Sequence, residues 1–191
     1  MNEKRFKHGL DRLRAPERVA MLEVEQVVKF CCGDIVVNSV LDVGTGTGIL
    51  IHLIQQYLPK QIYACDLSKK MLKQLRKNYS DVETILSDIR DLTMQDANID
   101  VVFINACYPN IADKPGAFIN LARIMKPAGR MIISHPLGKE FVDVLKKNAP
   151  YPLDNFPGES EAKLLIAPYG FDIQSFVDEP ELYILTAVKQ S

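Results

Sequence analysis

Asp42, Asp66 and Asp88 each sit in or just after a short apolar run, and their surroundings point to a shared ligand. The first run leads straight into glycines, as Leu41-Asp42-Val43-Gly44-Thr45-Gly46-Thr47-Gly48. Glycines permit a tight turn and let a ligand approach the backbone where any Cβ would intrude. A helix after such a turn presents free N–H groups. Following the first strand of an α/β domain, this is the layout of a nucleotide-type site; a glycine-rich turn with no ligand is the plainer alternative. Asp66, in Ala64-Cys65-Asp66-Leu67-Ser68, comes about twenty positions later, where a carboxylate accepts hydrogen bonds from both hydroxyls of a ribose. Its other reading is a turn residue assisting Ser68 at a helix start. Asp88, in Leu86-Ser87-Asp88-Ile89-Arg90-Asp91, can accept a bond from an adenine amino group while Ile89 packs on the ring, or can simply cap its loop. Asp91 reads as solvated.

Placing these residues requires alternating strands and helices. Ser39–Val43, Gln61–Cys65, Val82–Leu86, Asp100–Ile104 and Arg130–Ser134 are short and apolar and read as strands. The first, fourth and fifth are almost continuously apolar, as in a parallel sheet buried on both faces. Gly48–Leu58 is apolar nearly all round and reads as one buried helix. Ser68 is the N-cap expected for a helix over Lys69–Asn78, with Met71, Leu72 and Leu75 as its apolar stripe. Phe118, Leu121, Ala122 and Met125 form another stripe, which Pro127 and Gly129 bring to an end. This β-α-β alternation predicts an α/β, doubly wound sheet. Residues 1–37 read as a basic leader and a helix from about Pro16 to Cys32, and residues 135–170 as a proline-rich insertion with helical pieces. FDIQSFVDE and ELYILTAVK close the chain as a strand pair. No repeat or linker divides residues 1–191, so a single domain is expected.

Bulk properties exclude several classes. A chain of 191 residues, 47% hydrophobic and 25% charged, is an ordinary folded domain; at this length roughly 70% of the unfolded surface is buried without staples. With 23 basic and 24 acidic side chains the net charge is −1, which disfavours a broad nucleic-acid surface. No apolar run reaches the ~20 residues of a membrane span, and the charged N-terminus does not resemble a secretory signal. Cys31, Cys32, Cys65 and Cys107 lack metal-ligand spacing with the histidines, so no metal is expected and reduced cytoplasmic thiols are the simple reading. Lys4, Arg5, Lys7, Arg12, Arg14 and Arg18 belong to an expected N-terminal lid, or else to a solvated helix or a homodimer contact. The lysines and arginine of the Lys69–Asn78 helix form a solvated face.

Acids at three successive strand ends, behind a D-x-G-x-G-x-G turn, resemble the class I S-adenosylmethionine-dependent methyltransferases over roughly residues 15–191. Asp42 matches the family's acid before the glycines, Asp66 its ribose-binding acid, and Asp88–Ile89 its adenine segment. FINLARIMKPAGRMII resembles the family's helix–turn–strand, with Ala128 in place of the first glycine of that turn. The resemblance implies a Rossmann-like sheet of seven strands, order 3-2-1-4-5-7-6, mostly parallel with an antiparallel last strand. It further implies that Asp42, Gly44, Thr45, Gly46, Gly48, Asp66, Leu67, Met71, Asp88, Ile89 and Asn105 hold S-adenosylmethionine, with S-adenosylhomocysteine as product. A nicotinamide-dinucleotide oxidoreductase is the nearest competitor. Here, though, the third glycine comes one position early, and Asp42 would repel a pyrophosphate while suiting a zwitterionic tail on a sulfonium. A cofactor-binding protein without transferase activity is another alternative, and formation of S-adenosylhomocysteine separates it from an enzyme.

Methyl transfer is an in-line displacement at carbon, dominated by alignment and exclusion of water, with a base needed only for a protonated acceptor. Asn105-Ala106-Cys107-Tyr108-Pro109-Asn110 marks the acceptor side. Some amino-group methyltransferases carry an acid or amide, two prolines and an aromatic here; Asn105 and Tyr108 match the outer positions, while Ala106 and Cys107 replace the prolines. Tyr108 is a candidate catalytic residue, or a wall residue beside Asn105 as a turn residue. Cys107 reads as a small buried thiol. His135, directly after the fifth strand, is the candidate base with a pKa suited to neutral pH, or a hydrogen-bonded structural group. Some small bacterial methyltransferases pair a histidine here with one near the fourth strand; Asn110 stands at that second position. The short chain leaves no room for a recognition domain, so a small-molecule acceptor enclosed by residues 1–30 and 135–160 is expected.

Overall fold

The computed structural model describes residues 37–147, 149–150 and 152–191. The expected N-terminal lid and the Cys31–Cys32 pair lie outside them. Strands β1 (Ser39–Val43), β2 (Gln61–Asp66), β3 (Glu83–Leu86), β4 (Ile99–Asn105), β5 (Met125–His135), β6 (Phe171–Glu179) and β7 (Leu182–Lys189) form one sheet, ordered β3-β2-β1-β4-β5-β7-β6. The neighbours from β3 to β5 are parallel, and β7 lies antiparallel between β5 and β6. The expected sheet and its order are therefore present. Strand order reverses between β1 and β4, where a doubly wound sheet opens its ligand crevice beyond the carboxyl ends of the strands.

Alternation along each strand sorts its side chains onto two faces. Leu41, Val43, Val102, Ile104 and Ile133 pack with Phe118 and Leu121 on one side. Val40, Ala64, Val101, Phe103 and Ile132 pack with Ile51 and Ile54 on the other. The helices are α1 (Ile51–Ile54), α2 (Lys69–Asn78), α3 (Lys114–Ile124), α4 (Glu140–Lys146) and α5 (Glu159–Ile166). Short 3₁₀ turns occupy Gln55–Tyr57, Ile89–Asp91, Tyr108–Asn110 and Ala167–Tyr169. Helix α2 has the bounds read from its stripe, and its Ser68 cap accepts from the Met71 N–H at 3.4 Å.

Two elements depart from expectation. The helix expected over Gly48–Leu58 shrinks to α1 and a 3₁₀ turn. Gly48 sits at φ +87, outside helical space, so the turn consumes the first residues of the apolar run. Met125, expected on a helical stripe, already belongs to β5 and pairs with Ile99, before a register shift brings Arg130 opposite Val101. Pro127 and Gly129 do end the helix, but inside an irregular strand entry rather than ahead of a short strand.

Candidate cofactor and acceptor site

The turn after β1 is tied to the end of β2. Gly44 and Thr45 donate their N–H groups to the Cys65 carbonyl at 2.8 and 3.1 Å. Gly44 packs so closely on the loop after β4 that an added Cβ would stand 2.2 Å from Cys107 Sγ. Gly46 instead borders open space, with nothing within 4 Å of where its Cβ would be. The Asp66 carboxylate spans the crest: Oδ2 accepts from the Gly46 N–H at 2.8 Å and Oδ1 from the Ser68 N–H at 2.7 Å. Asp66 therefore assists the start of α2, one of its two expected readings. Each of its oxygens keeps a second acceptor site. Beside it, Leu67 is 71% exposed and Met71 41%, apolar surface at the crevice edge.

Asp88 caps the turn that follows β3, its Oδ1 accepting from the Arg90 N–H at 3.0 Å. Arg90 Nη2 lies 3.6 Å from Asp88 Oδ2. Ile89 is buried in the core with Leu92. Asn105 closes β4 with its Oδ1 accepting from Ser134 Oγ at 2.9 Å. Asp42 is buried under the turn, where Thr45 Oγ1 donates to its Oδ2 at 2.6 Å. Burial, with Asp66 adding to it against the Thr45 bond, raises its pKa to about 7.

The electrostatics draw these acids together. Burial first, then the charges of Asp66, Asp42 and Asp88, push the Cys107 thiol up to about 12. One sulfur beside Gly44 thus lies near all three acids. Lys114 acts on it in the opposite sense but is itself paired with Asp154. A crest with this sign repels a pyrophosphate and suits an ammonium and a sulfonium. Together with the open space at Gly46 and the bare apolar rim, the residues present fit S-adenosylmethionine.

The acceptor-side residues gather in an aromatic cluster. Tyr108 is buried and stacks on Phe156 with ring centroids 5.4 Å apart; Phe156 also meets Tyr183 at 4.5 Å and His135 at 5.7 Å. His135 accepts the Leu137 N–H on Nδ1 at 3.2 Å, so its neutral ring carries a proton on Nε2. Burial lowers its pKa to about 4. This direction runs against the near-neutral titration expected of His135. Tyr108 is likewise held as the neutral phenol, its pKa raised by burial and by Asp154 and Glu161.

Sequence reasoning missed the residues that fasten this cluster. Lys114 Nζ lies 4.8 Å from the Tyr108 ring centroid, donates to the Ile111 carbonyl at 2.8 Å and pairs with Asp154. The Asp154 N–H donates to the Pro109 carbonyl at 3.2 Å, and Tyr183 Oη to the Pro157 carbonyl at 3.0 Å. Residues 152–158 are thereby strapped across the ends of β4, β5 and β7. In sequence Lys114 resembles any solvated first-turn lysine, and nothing in the spacing joins it to Asp154.

Comparison with known proteins agrees with this geometry. A methyltransferase domain model matches residues 41–133. Malonyl-acyl-carrier protein O-methyltransferase of Xylella fastidiosa is 34% identical over 106 residues, covering 53% of this chain and 36% of that protein. Demethylmenaquinone methyltransferase of Thermotoga maritima is 30% identical over 134 residues, covering 65% and 58%. The chain spans less than two thirds of the length of either relative. The S-adenosylmethionine-dependent methyltransferase from Mesorhizobium loti superposes with a TM-score of 0.71 at 14% identity, covering 94% of this chain and 100% of that one, a likeness of fold. Among the described residues no helix is long and apolar enough to cross a membrane. The matched segment, the strand order and the acids around the glycine turn make this chain similar to the class I S-adenosylmethionine-dependent methyltransferases.

Proposed function

We propose that the chain methylates a small-molecule acceptor, with residues 38–191 acting as one cytoplasmic unit and residues 135–170 forming its acceptor side. The Asp66 carboxylate, bonded to the Gly46 N–H at the open glycine crest, carries this reading. In it, Asp66 takes the ribose hydroxyls on its free acceptor sites and Asp88 the adenine amino group. Leu67 and Met71 cover apolar ligand surface, and Ile89 supports them from the core. The Gly44–Gly48 turn, with Thr45, leaves backbone room for the amino-acid tail, and Asn105 marks the passage to the acceptor. The bound cofactor supplies an electrophilic methyl carbon on a sulfonium. The protein's contribution is alignment and dryness, effects worth several kcal/mol of a barrier.

Neither acceptor-side candidate is poised as a base: His135 is neutral with Nδ1 occupied, and Tyr108 holds its proton. They serve instead as wall and hydrogen-bond donor. The acceptor then brings its own free electron pair at neutral pH, as a carboxylate or an acidic hydroxyl or carbon does. Relatives named for malonyl and demethylmenaquinone substrates support that class. Incubating the chain with methyl-labelled cofactor and a metabolite extract tests the reading. Label in an acidic small molecule is expected, with His135→Ala retaining more than about a tenth of turnover. Label confined to protein or nucleic acid, or cofactor binding with no S-adenosylhomocysteine formed, contradicts it.

A further inference from the structure

Asp42 differs from the other two acids in what holds it. Asp66 accepts two backbone N–H groups and Asp88 one. Asp42 is 2% exposed, and among the described residues its partner is the Thr45 hydroxyl. A hydroxyl donates to a carboxylate or accepts from a carboxylic acid, so this contact survives either protonation state.

Among the described residues, the groups around Asp42 offer no compensating cation. From β2 comes the Asp66 charge, which disfavours ionisation of Asp42. The thiols of Cys65 and Cys107 remain protonated, both pushed up to about 12, and Asp88 acts on these same thiols. His52 on α1 has its pKa lowered by burial. The lysines and arginine of α2 are solvent-exposed, and Lys114 is tied to Asp154 and the Ile111 carbonyl.

We propose that Asp42 reads the charge of the cofactor sulfur, releasing its proton to solvent when the crest takes a sulfonium and retaining it when the crest takes a neutral thioether. The proposal rests on the cofactor site argued above and makes Asp42 a specificity-determining residue between substrate and product forms of the cofactor. Both forms carry the same zwitterionic tail, so the sulfur charge is what distinguishes them. A positive charge at the crest favours ionised Asp42, and by linkage ionised Asp42 favours the positive charge. Once the methyl group has left, the sulfur is neutral and Asp66 again disfavours ionisation of Asp42. Asp42 then recovers its proton, and the product form loses the advantage the substrate form had.

Calorimetry in two buffers of different ionisation heat counts the protons released on binding, and at about pH 6.5 the ligands' own amino groups stay protonated. The wild-type chain is expected to release on the order of half a proton per S-adenosylmethionine bound, and markedly less for S-adenosylhomocysteine. Its affinity for S-adenosylmethionine is expected to fall about fivefold from pH 7 to pH 6. In Asp42→Asn the excess release and this fall disappear, although binding persists. Equal proton counts for the two ligands on the wild-type chain overturn the proposal without reference to any variant, as does an unchanged count in Asp42→Asn. Absence of binding by either ligand contradicts the cofactor reading, and the proposal with it.

Discussion

A carboxyl group that folding carries into an apolar site favours its protonated form, and Asp42 is the clearest case in this chain. Its pKa rises from 3.8 to about 7, chiefly through burial. Between those values the native chain holds a proton that the unfolded chain has lost, so stability from this group falls as pH rises from about 4 to 7 and is flat above. Asn keeps the shape and the Thr45 contact without the charge. Asp42→Asn is therefore expected to raise stability at pH 8 by about 2–4 kcal/mol, with little gain at pH 4, as thermal or urea unfolding at both pH values would register. A gain of equal size at both would show that charge is not the cause. His135 works in the opposite direction: its pKa of about 4 makes stability rise with pH between about 4 and 6.5.

At the scale of elements, two turns show opposite uses of positive φ, one at the crest and one at the entry to β5. Gly44, at φ +66, lies against the Cys107 side chain, and an alanine there would bring its Cβ within 2.7 Å of Cys107 Cβ as well as nearer still to the sulfur. Gly44→Ala is expected to cost at least about 2 kcal/mol and to abolish cofactor binding. Cys107→Ala leaves the Cβ clash and should not restore either property, whereas Cys107→Gly should restore part of the stability; rescue by alanine would refute this packing. The entry to β5 shows the reverse arrangement. Ala128 stands at φ +60, where the family's turn carries glycine. Ala128→Gly is expected to stabilise the chain by about 0.5–1 kcal/mol, the left-handed penalty less the extra entropy glycine loses on folding. A lower midpoint in urea would contradict that. Helix α2 and the strands were legible because their spacing, caps and apolar runs are local signals. The shortening of α1 was not, since the turn that displaces it depends on φ values at glycines rather than on hydrophobic pattern.

For the molecule as a whole, the doubly wound sheet and its crest were readable because right-handed crossovers leave few ways to arrange alternating strands and helices, whereas the seven-strand order came from the family resemblance. Asp66 and Asp88 stand where that arrangement sets strand ends, so their neighbourhood followed from sequence. The burial of Asp42, the neutral state of His135 and the Lys114–Asp154 pair did not. Each depends on which distant segment covers it, as residues 152–158 cover the aromatic cluster around Phe156. The central claim is that the crest holds an adenosyl group through Asp66. Calorimetric titration of the wild-type chain and Asp66→Ala with S-adenosylhomocysteine tests it most directly. Saturable binding weakened about 10- to 100-fold in the variant, the worth of hydrogen bonds to a charged group, is the predicted result; equal affinity in the two chains, or binding of a nicotinamide dinucleotide in place of the adenosyl ligand, would contradict it.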